Sequence, residues 1–174
     1  MTKNIIAFKG ITPEIDESAF VAPSADVIGD VVLGEGSSIW FNCVVRGDVN
    51  HIRIGKNTNI QDGTVIHVSN GTHPTIIGDD VLVGHNCIIH GCTLEDRSFV
   101  GMGATVLDGA VVESGGMVAA GALVAPGKRV PSGQLWAGSP AKHMRDLSEE
   151  QVKNLTSGAE HYAELAQVYK KELE

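Results

Sequence analysis

Aliphatic side chains return at every sixth position through most of this chain, with small and polar residues between them. The series runs from Val21 to Val130. Insertions of three and five residues delay it before Ile54 and Ile77, and one residue is lost before Leu94. Val, Ile or Leu occupies all eighteen positions of the series: Val21, Val27, Leu33, Ile39, Val45, Ile54, Ile60, Ile66, Ile77, Val83, Ile89, Leu94, Val100, Val106, Val112, Val118, Val124 and Val130.

Small side chains fill most positions two residues before each aliphatic one, as in Ala25, Thr64 and Ala104. Residues two apart on a strand share a face, so one large and one small residue per short strand would fill a narrow interior. Three such strands make one triangular coil of eighteen residues, and the eighteen positions make about six coils. The pattern therefore predicts an all-β repeat, a parallel β-helix, over residues 21–136.

The three cysteines, Cys43, Cys87 and Cys92, all fall in the small inward series. We interpret them as packed free thiols of a reducing compartment. A disulfide or a thiolate metal ligand is the alternative.

Both ends of the chain depart from the six-residue period. Ser148 and Gln151 form the capping-box pattern S-x-x-Q, and apolar residues then recur at spacings of three and four up to Leu173. This pattern predicts a C-terminal amphipathic helix over 147–173. We expect residues 1–20 to form a short segment that caps the first coil.

Charge and hydropathy exclude some classes of function. The 174-residue chain carries a formal net charge of −8 and has no run of five like charges, which argues against a general binder of nucleic acid or anionic membranes. No apolar run reaches the length of a membrane span, and the N-terminus lacks the apolar stretch of a signal peptide. We therefore expect a cytoplasmic protein.

Three of the seven histidines have positions that the repeat makes informative. His67 and His90 each follow an inward aliphatic residue, so their side chains point outward, and they lie three strands apart on the same face. Adjacent coils are about 5 Å apart, which is close enough for two imidazoles to share a metal ion.

His85 lies five residues before His90, beyond a corner of the prism, and so belongs to the adjacent face. Packing around a threefold axis would bring His85 of one subunit opposite His67 and His90 of another. The register thus predicts a homotrimer with intersubunit sites of three histidines and an open position, which is the coordination of catalytic zinc. The alternative is that these three are unrelated surface histidines. We interpret the other four histidines in that way: His51, His73, His143 and His161. His73 lies in the inserted loop and could also relay protons.

Three motifs resemble the gamma-class carbonic anhydrases, and the resemblance covers nearly the whole chain. They are V-V-R-G-D at 44–48, N-I-Q-D-G at 59–63 followed by His67, and V-G-H-N-C-I-I-H-G-C at 83–92. The resemblance implies a left-handed β-helix. It also implies that His67, His85 and His90 bind Zn²⁺, with Fe²⁺ or Co²⁺ as alternatives, and that His85 comes from the neighbouring subunit.

The resemblance also implies roles for residues around the ligands. Arg46 and Asp48 match an ion pair at the subunit interface, and Gln61 matches a glutamine that orients bound hydroxide. Turn formation is the other interpretation of residues 59–63. The remaining candidate catalytic residues are Asn59, which would line the site, Asp62, a neighbouring carboxylate, and Tyr162, which would approach the pocket from the helix.

The activity implied by the resemblance is metal-dependent, reversible hydration of CO2 to bicarbonate. Val49 and Asn50 follow Asp48 where the family has a glutamate, and residues 68–75, where the family has an acidic loop, contain no carboxylate, so the usual proton shuttle is missing. We expect the hydration to be weak or dependent on buffer. The alternatives are a CoA-dependent hexapeptide acyltransferase, a thioesterase or other metallohydrolase, and a metal-binding scaffold without catalysis.

Overall fold

The computed structural model describes residues 4–173, and it consists of short strands followed by one long helix. The strands, in chain order, are β1 Asn4–Ile6, β2 Glu14–Ile15, β3 Phe20–Val21, β4 Asp26–Leu33, β5 Ser38–Ile39, β6 Val44–Ile54, β7 Asn59–Ile60, β8 Val65–His67, β9 Thr75–Ile77, β10 Leu82–Val83, β11 Ile88–His90, β12 Thr93–Leu94, β13 Phe99–Val100, β14 Thr105–Val106, β15 Val111–Val112, β16 Met117–Val118, β17 Leu123–Val124, β18 Arg129–Val130, β19 Gln134–Gly138 and β20 Ala141–Asp146. The helix α1 spans Glu149–Leu173.

The strands stack in parallel into a β-helix with three faces, and its six-residue steps match the predicted register. Face 1 contains β1, the first half of β4, the first half of β6, β8, β11, β14 and β17. Face 2 contains β2, the second halves of β4 and β6, β9, β12, β15 and β18. Face 3 contains β3, β5, β7, β10, β13, β16 and β19, and β20 pairs antiparallel with β19 at the end of the stack.

The aliphatic series forms the interior, as predicted. Val45 pairs with Ile66 and Ile66 with Ile89 on face 1, so the inserted residues before Ile54 and Ile77 do not disturb the stacking. All eighteen aliphatic positions are buried, and the small series lies beside them. The insertions are accommodated at a corner because the chain can bulge outward there without opening the core.

The β-helix has about 7 turns, one more than expected. Ile5 and Ile15 pair with Val27 and Leu33, and Trp136 pairs with Val118, which adds one position to each face. We expected residues 1–20 to cap the coil that begins at Val21. Residues 4–20 instead supply the strands β1 and β2 of an additional coil before it. Residues 1–3 lie outside the described residues. The sequence concealed this coil because the turn at 7–13 interrupts the six-residue step.

The three cysteines are free and buried. Burial raises the pKa of the Cys43 and Cys92 thiols to about 12, and it also raises the pKa of Cys87. Thiols in this environment stay protonated, as the interpretation of packed side chains requires.

The C-terminal helix begins with the predicted capping box. Ser148 Oγ accepts a hydrogen bond from the backbone N–H of Gln151 at 3.2 Å, and the Gln151 side chain accepts one from the N–H of Ser148 at 3.1 Å. The helix packs along face 3 of its own chain and buries Ala159 and Ala166 there. No helix within residues 4–173 is both long and apolar enough to cross a bilayer.

Candidate metal centre

His67 and His90 end adjacent strands of face 1 and lie directly above one another. Strands β8 and β11 pair in parallel with His90 opposite His67. The ring centroids are 5.1 Å apart, and His67 Nδ1 lies 3.1 Å from His90 Nε2. The register argument for this stacking is confirmed, because alternation along each strand turns both imidazoles out of the core.

The other ring nitrogen of each histidine contacts a carboxylate. His67 Nε2 lies 2.9 Å from Asp48 Oδ1, and His90 Nδ1 lies 2.6 Å from Asp108 Oδ1. Arg46 forms an ion pair with Asp48 within the same chain, and Ser69 Oγ donates a hydrogen bond to Asp108 Oδ2 at 2.7 Å. Each imidazole is thus held in place by an anion, which is itself held by a second group.

Both carboxyl groups ionise more readily than an ordinary aspartic acid. Burial alone would raise the pKa of Asp48, but hydrogen bonds from His67 and Arg46 outweigh it and lower the pKa below its ordinary value. In Asp108 burial likewise opposes hydrogen bonds from His90 and Ser69, and the pKa is again lowered. Asp48 and Asp108 are therefore ionised at neutral pH and can only accept protons in hydrogen bonds.

A count of protons shows what the histidine pair requires. Two neutral imidazoles carry two N–H groups, one for each carboxylate. The facing nitrogens, His67 Nδ1 and His90 Nε2, are then both unprotonated and present lone pairs to each other at 3.1 Å. Two lone pairs that face each other at this distance repel, and a metal ion between the two nitrogens would relieve that repulsion.

The spacing of the facing nitrogens suits a metal ion. Two nitrogens bound to one tetrahedral zinc at about 2.0–2.1 Å are roughly 3.3 Å apart. The observed 3.1 Å therefore needs only a small adjustment, and the donor set of unprotonated imidazoles is one that zinc accepts.

His85 lies apart from this pair, on the turn that follows β10. Its Nδ1 is 2.9 Å from Asp62 Oδ2, so a carboxylate also holds one nitrogen of this histidine. Within residues 4–173 of one chain, no three His, Cys, Asp or Glu side chains converge closely enough to hold an ion. One subunit thus brings together two of the three predicted ligands and leaves the third on another corner.

Gln61 and Asn59 form a buried amide pair beneath the helix. Gln61 Nε2 donates a hydrogen bond to Asn59 Oδ1 at 3.1 Å, and both side chains are almost fully buried. Among the residues that the structure describes, the Asn59 Nδ2 group has no hydrogen-bond partner. Because Gln61 uses its amide nitrogen on Asn59, its carbonyl oxygen is left as an acceptor.

Tyr162 lies on the inner side of the helix, with its ring 5.5 Å from that of Trp40. Burial, and then the charge of Asp62, raise the pKa of the Tyr162 hydroxyl. Tyr162 is thus close enough to Asp62 to feel its charge and stays a neutral hydrogen-bond donor at physiological pH.

The remaining histidines lie outside the His67–His90 pair. His143 contacts Asp146 at 2.9 Å in the C-terminal hairpin, and the ring of His161 packs 5.8 Å from that of Tyr162. His73 lies in the loop that contains Ser69, and its charge helps to lower the pKa of Asp108.

Asp108 is a site residue that the sequence reasoning missed. It stands eighteen residues after His90, which is one full coil. A search for polar residues eighteen positions after each predicted ligand would have found Asp108. A single aspartate on a turn carries no signal of its own in the sequence.

Comparison with known proteins gives consistent matches. Residues 74–108 match a family model described as the hexapeptide repeat of succinyl-transferase. The chain is 55% identical over 166 residues to the mitochondrial gamma carbonic anhydrase 2 of Arabidopsis thaliana, covering 92% of this chain and 60% of the plant protein. It is 47% identical over 166 residues to a carbonic anhydrase of Geobacillus kaustophilus, covering 95% of this chain and 91% of the bacterial one.

A solved structure is similar over the same extent. A hexapeptide transferase family protein from Anaplasma phagocytophilum superposes with a TM-score of 0.93 at 47% identity, covering 97% of this chain and 99% of that one. The chain spans only about 60% of the length of its plant relatives, namely 60%, 59% and 63% of three of them.

Proposed function

This chain belongs to the gamma carbonic anhydrase family, and from that premise we propose that it catalyses the reversible hydration of CO2 to bicarbonate. The observation that carries the proposal is the pair of facing nitrogens of His67 and His90, which lie 3.1 Å apart on rings that each contact an aspartate through the other nitrogen. The residues around these two nitrogens fit a bound cation. The names of the Arabidopsis and Geobacillus relatives supply the reaction.

We propose that His67 Nδ1 and His90 Nε2 of one subunit and His85 of the next hold the ion. The Asp62 carboxylate on His85 Nδ1 leaves Nε2 of that ring free, as Asp108 does for His90. The proposed ion is Zn²⁺, and Fe²⁺ or Co²⁺ would also accept imidazole ligands. When bound, it supplies a Lewis acid that ionises water near neutral pH.

Residues of this chain would then orient and shield the reaction. The free carbonyl oxygen of Gln61 can accept a hydrogen bond from the attacking water and so fix its direction. Asn59 fixes Gln61, and the neutral hydroxyl of Tyr162 can donate a hydrogen bond to a product oxygen. Asp62, which is partly exposed beside His85, is a candidate to accept a released proton.

The proposal includes a homotrimer with the metal between subunits. The strands that carry His67 and His90 also carry Val65 and Ile88, whose side chains are 41% and 48% exposed. Neighbouring apolar side chains exposed on one sheet face are typical of a surface that another subunit covers. In this arrangement the ion pair of Arg46 and Asp48 would lie at the subunit contact.

We place the protein in a reducing compartment, with the cytoplasm as the specific proposal, because its three cysteines are free. The relatives from Arabidopsis are mitochondrial. Fractionation of cells that express an epitope-tagged chain tests this point.

The decisive test combines metal analysis with CO2 hydration. Protein refolded or grown with Zn²⁺ or Fe²⁺ should hold one ion per subunit and hydrate CO2 in a stopped-flow indicator assay. His67→Ala and His90→Ala should lose both properties, whereas His143→Ala, which removes a histidine paired with Asp146 elsewhere, should keep them. A metal-free wild type, or a loaded wild type without hydration, would contradict the proposal.

Acyl transfer is the second candidate, because the Anaplasma protein is named as a hexapeptide transferase family member. Release of free CoA from acetyl-CoA with a panel of amine and hydroxyl acceptors tests it. Turnover that survives His90→Ala would favour the transferase.

A further inference from the structure

We propose that Asp108, held by Ser69, is a positioning residue that selects the nitrogen with which His90 binds the metal. This inference rests on the proposed metal centre, and it adds a role for the five-residue insertion that precedes Ile77. Asp108 itself stays on the far side of the imidazole, away from the ion.

The two carboxylate oxygens of Asp108 contact different residues. Oδ1 contacts His90 Nδ1 at 2.6 Å, and Oδ2 accepts the Ser69 hydroxyl at 2.7 Å. With both oxygens in use, the carboxylate cannot rotate without losing one partner. The hydrogen bond from Ser69 therefore fixes the orientation of the carboxylate relative to the His90 ring.

Ser69 is in turn fixed by the inserted loop, residues 68–74. Its backbone N–H donates to the carbonyl of His73 at 2.9 Å, which closes the loop. Its carbonyl accepts a hydrogen bond from Asn50 Nδ2 at 3.1 Å, which ties the loop to the strand below. The insertion thus places the Ser69 hydroxyl beside the carboxylate of Asp108, which lies two coils further along the β-helix.

Other corner aspartates of this β-helix show what an ordinary structural role looks like. Asp79 Oδ1 accepts the backbone N–H of Lys56 at 2.7 Å, and Asp96 Oδ1 accepts that of Asp79 at 2.9 Å. Both bind the backbone of the coil below. Asp108 occupies a similar position above a glycine, but its two oxygens bind side chains of the metal centre instead.

The chain leaves space for this contact directly after the ligand. Gly91 follows His90, has φ of +55°, and a Cβ built on it would lie 2.3 Å from Asp108 Oδ1. A side chain at this position would push the carboxylate away from His90 Nδ1. The glycine therefore has two effects. It allows the positive φ of the turn, and it leaves room for the carboxylate to approach the ring.

The consequence concerns the tautomer of His90. A carboxylate on Nδ1 keeps the proton there and leaves the lone pair on Nε2, which faces His67. Without Asp108 the proton would exchange between both nitrogens, and part of the population would present N–H toward the ion. Loss of such an outer partner commonly weakens metal binding by about 10- to 100-fold.

The test measures the tautomer first, in metal-free protein. Long-range ¹H–¹⁵N spectra of the histidine rings, recorded at a pH where both rings are neutral, distinguish Nδ1–H from Nε2–H, and the wild-type His90 should be Nδ1–H. Asp108→Asn, whose amide can donate as well as accept, should show a substantial Nε2–H population, and Ser69→Ala a smaller one. The matched control is Asp146→Asn, which breaks a carboxylate–imidazole pair at His143 and should leave His90 unchanged.

Zinc affinity, measured by competition with a chromophoric chelator, is the second readout. We expect a loss of about 10- to 100-fold for Asp108→Asn and a smaller loss for Ser69→Ala. A wild-type tautomer and an affinity within twofold of the control in both variants would overturn the proposal. Because the tautomer is read without metal or CO2, a failure of the proposed activity would leave this result interpretable.

Discussion

Mixing two inactive variants should restore activity if the metal centre lies between subunits. His85→Ala keeps His67 and His90 but removes the ligand on the other corner of the β-helix. His67→Ala keeps His85 but disables the pair on face 1. Each homotrimer should lack metal and activity, because every site in it lacks one imidazole.

The size of the recovery follows from the separation of the ligands. Within one described chain His85 does not join the His67–His90 pair, so each site needs one contribution from each of two neighbours. In randomly mixed trimers half of the subunits supply an intact pair and half of their neighbours supply an intact His85. About a quarter of the sites are then complete, so metal content and CO2 hydration should both recover to about 25% of wild type.

The assay unfolds and refolds the two variants together, verifies mixed trimers by mass with two tags of different size, and measures bound zinc. His67→Ala mixed with His90→Ala is the matched control, because both ligands belong to the same subunit and no site can become complete. No recovery in verified mixed trimers, or recovery equal to that of this control, would refute the intersubunit site. Full metal content in the His85→Ala homotrimer would do the same.

Three further outcomes are expected. Ile66→Ala should lower the free energy of unfolding by about 2–5 kcal/mol, because Ile66 is fully buried next to His67. The control Met144→Ala, at a 65% exposed position, should change this free energy by less than about 0.5 kcal/mol. Both values come from denaturant titrations at the same protein concentration. Cys43 and Cys92, with pKa values of about 12, should not react with a disulfide reagent at pH 8 in the native protein, whereas three thiols should react after unfolding, and rapid native labelling would contradict the burial argument. CO2 hydration should rise with the concentration of an imidazole buffer, because the loop at 68–75 offers no carboxylate to carry the proton away, and a fast rate in a buffer that transfers no protons would disprove this explanation.

The sequence by itself determined the stacking of the β-helix. A period of six fixes which side chains point inward, and the same period carries His67 and His90 onto one face, because each full coil returns the chain to the same face. The position of Trp136 shows the limit of the pattern, since it continues the six-residue step but is not aliphatic. The first coil was missed for a similar reason, because ten residues separate Ile5 from Ile15 and hide the step.

The tertiary structure alone decided which groups surround the candidate metal ligands. Asp48 and Asp108 reach their histidines from the coils below and above, and the direction of those side chains depends on corner geometry that no period encodes. The same holds for Ser69, whose hydroxyl meets Asp108 only because the inserted loop closes on His73. Repetition along the chain determines where backbones stack, but hydrogen-bond partners between coils depend on the conformation of each corner.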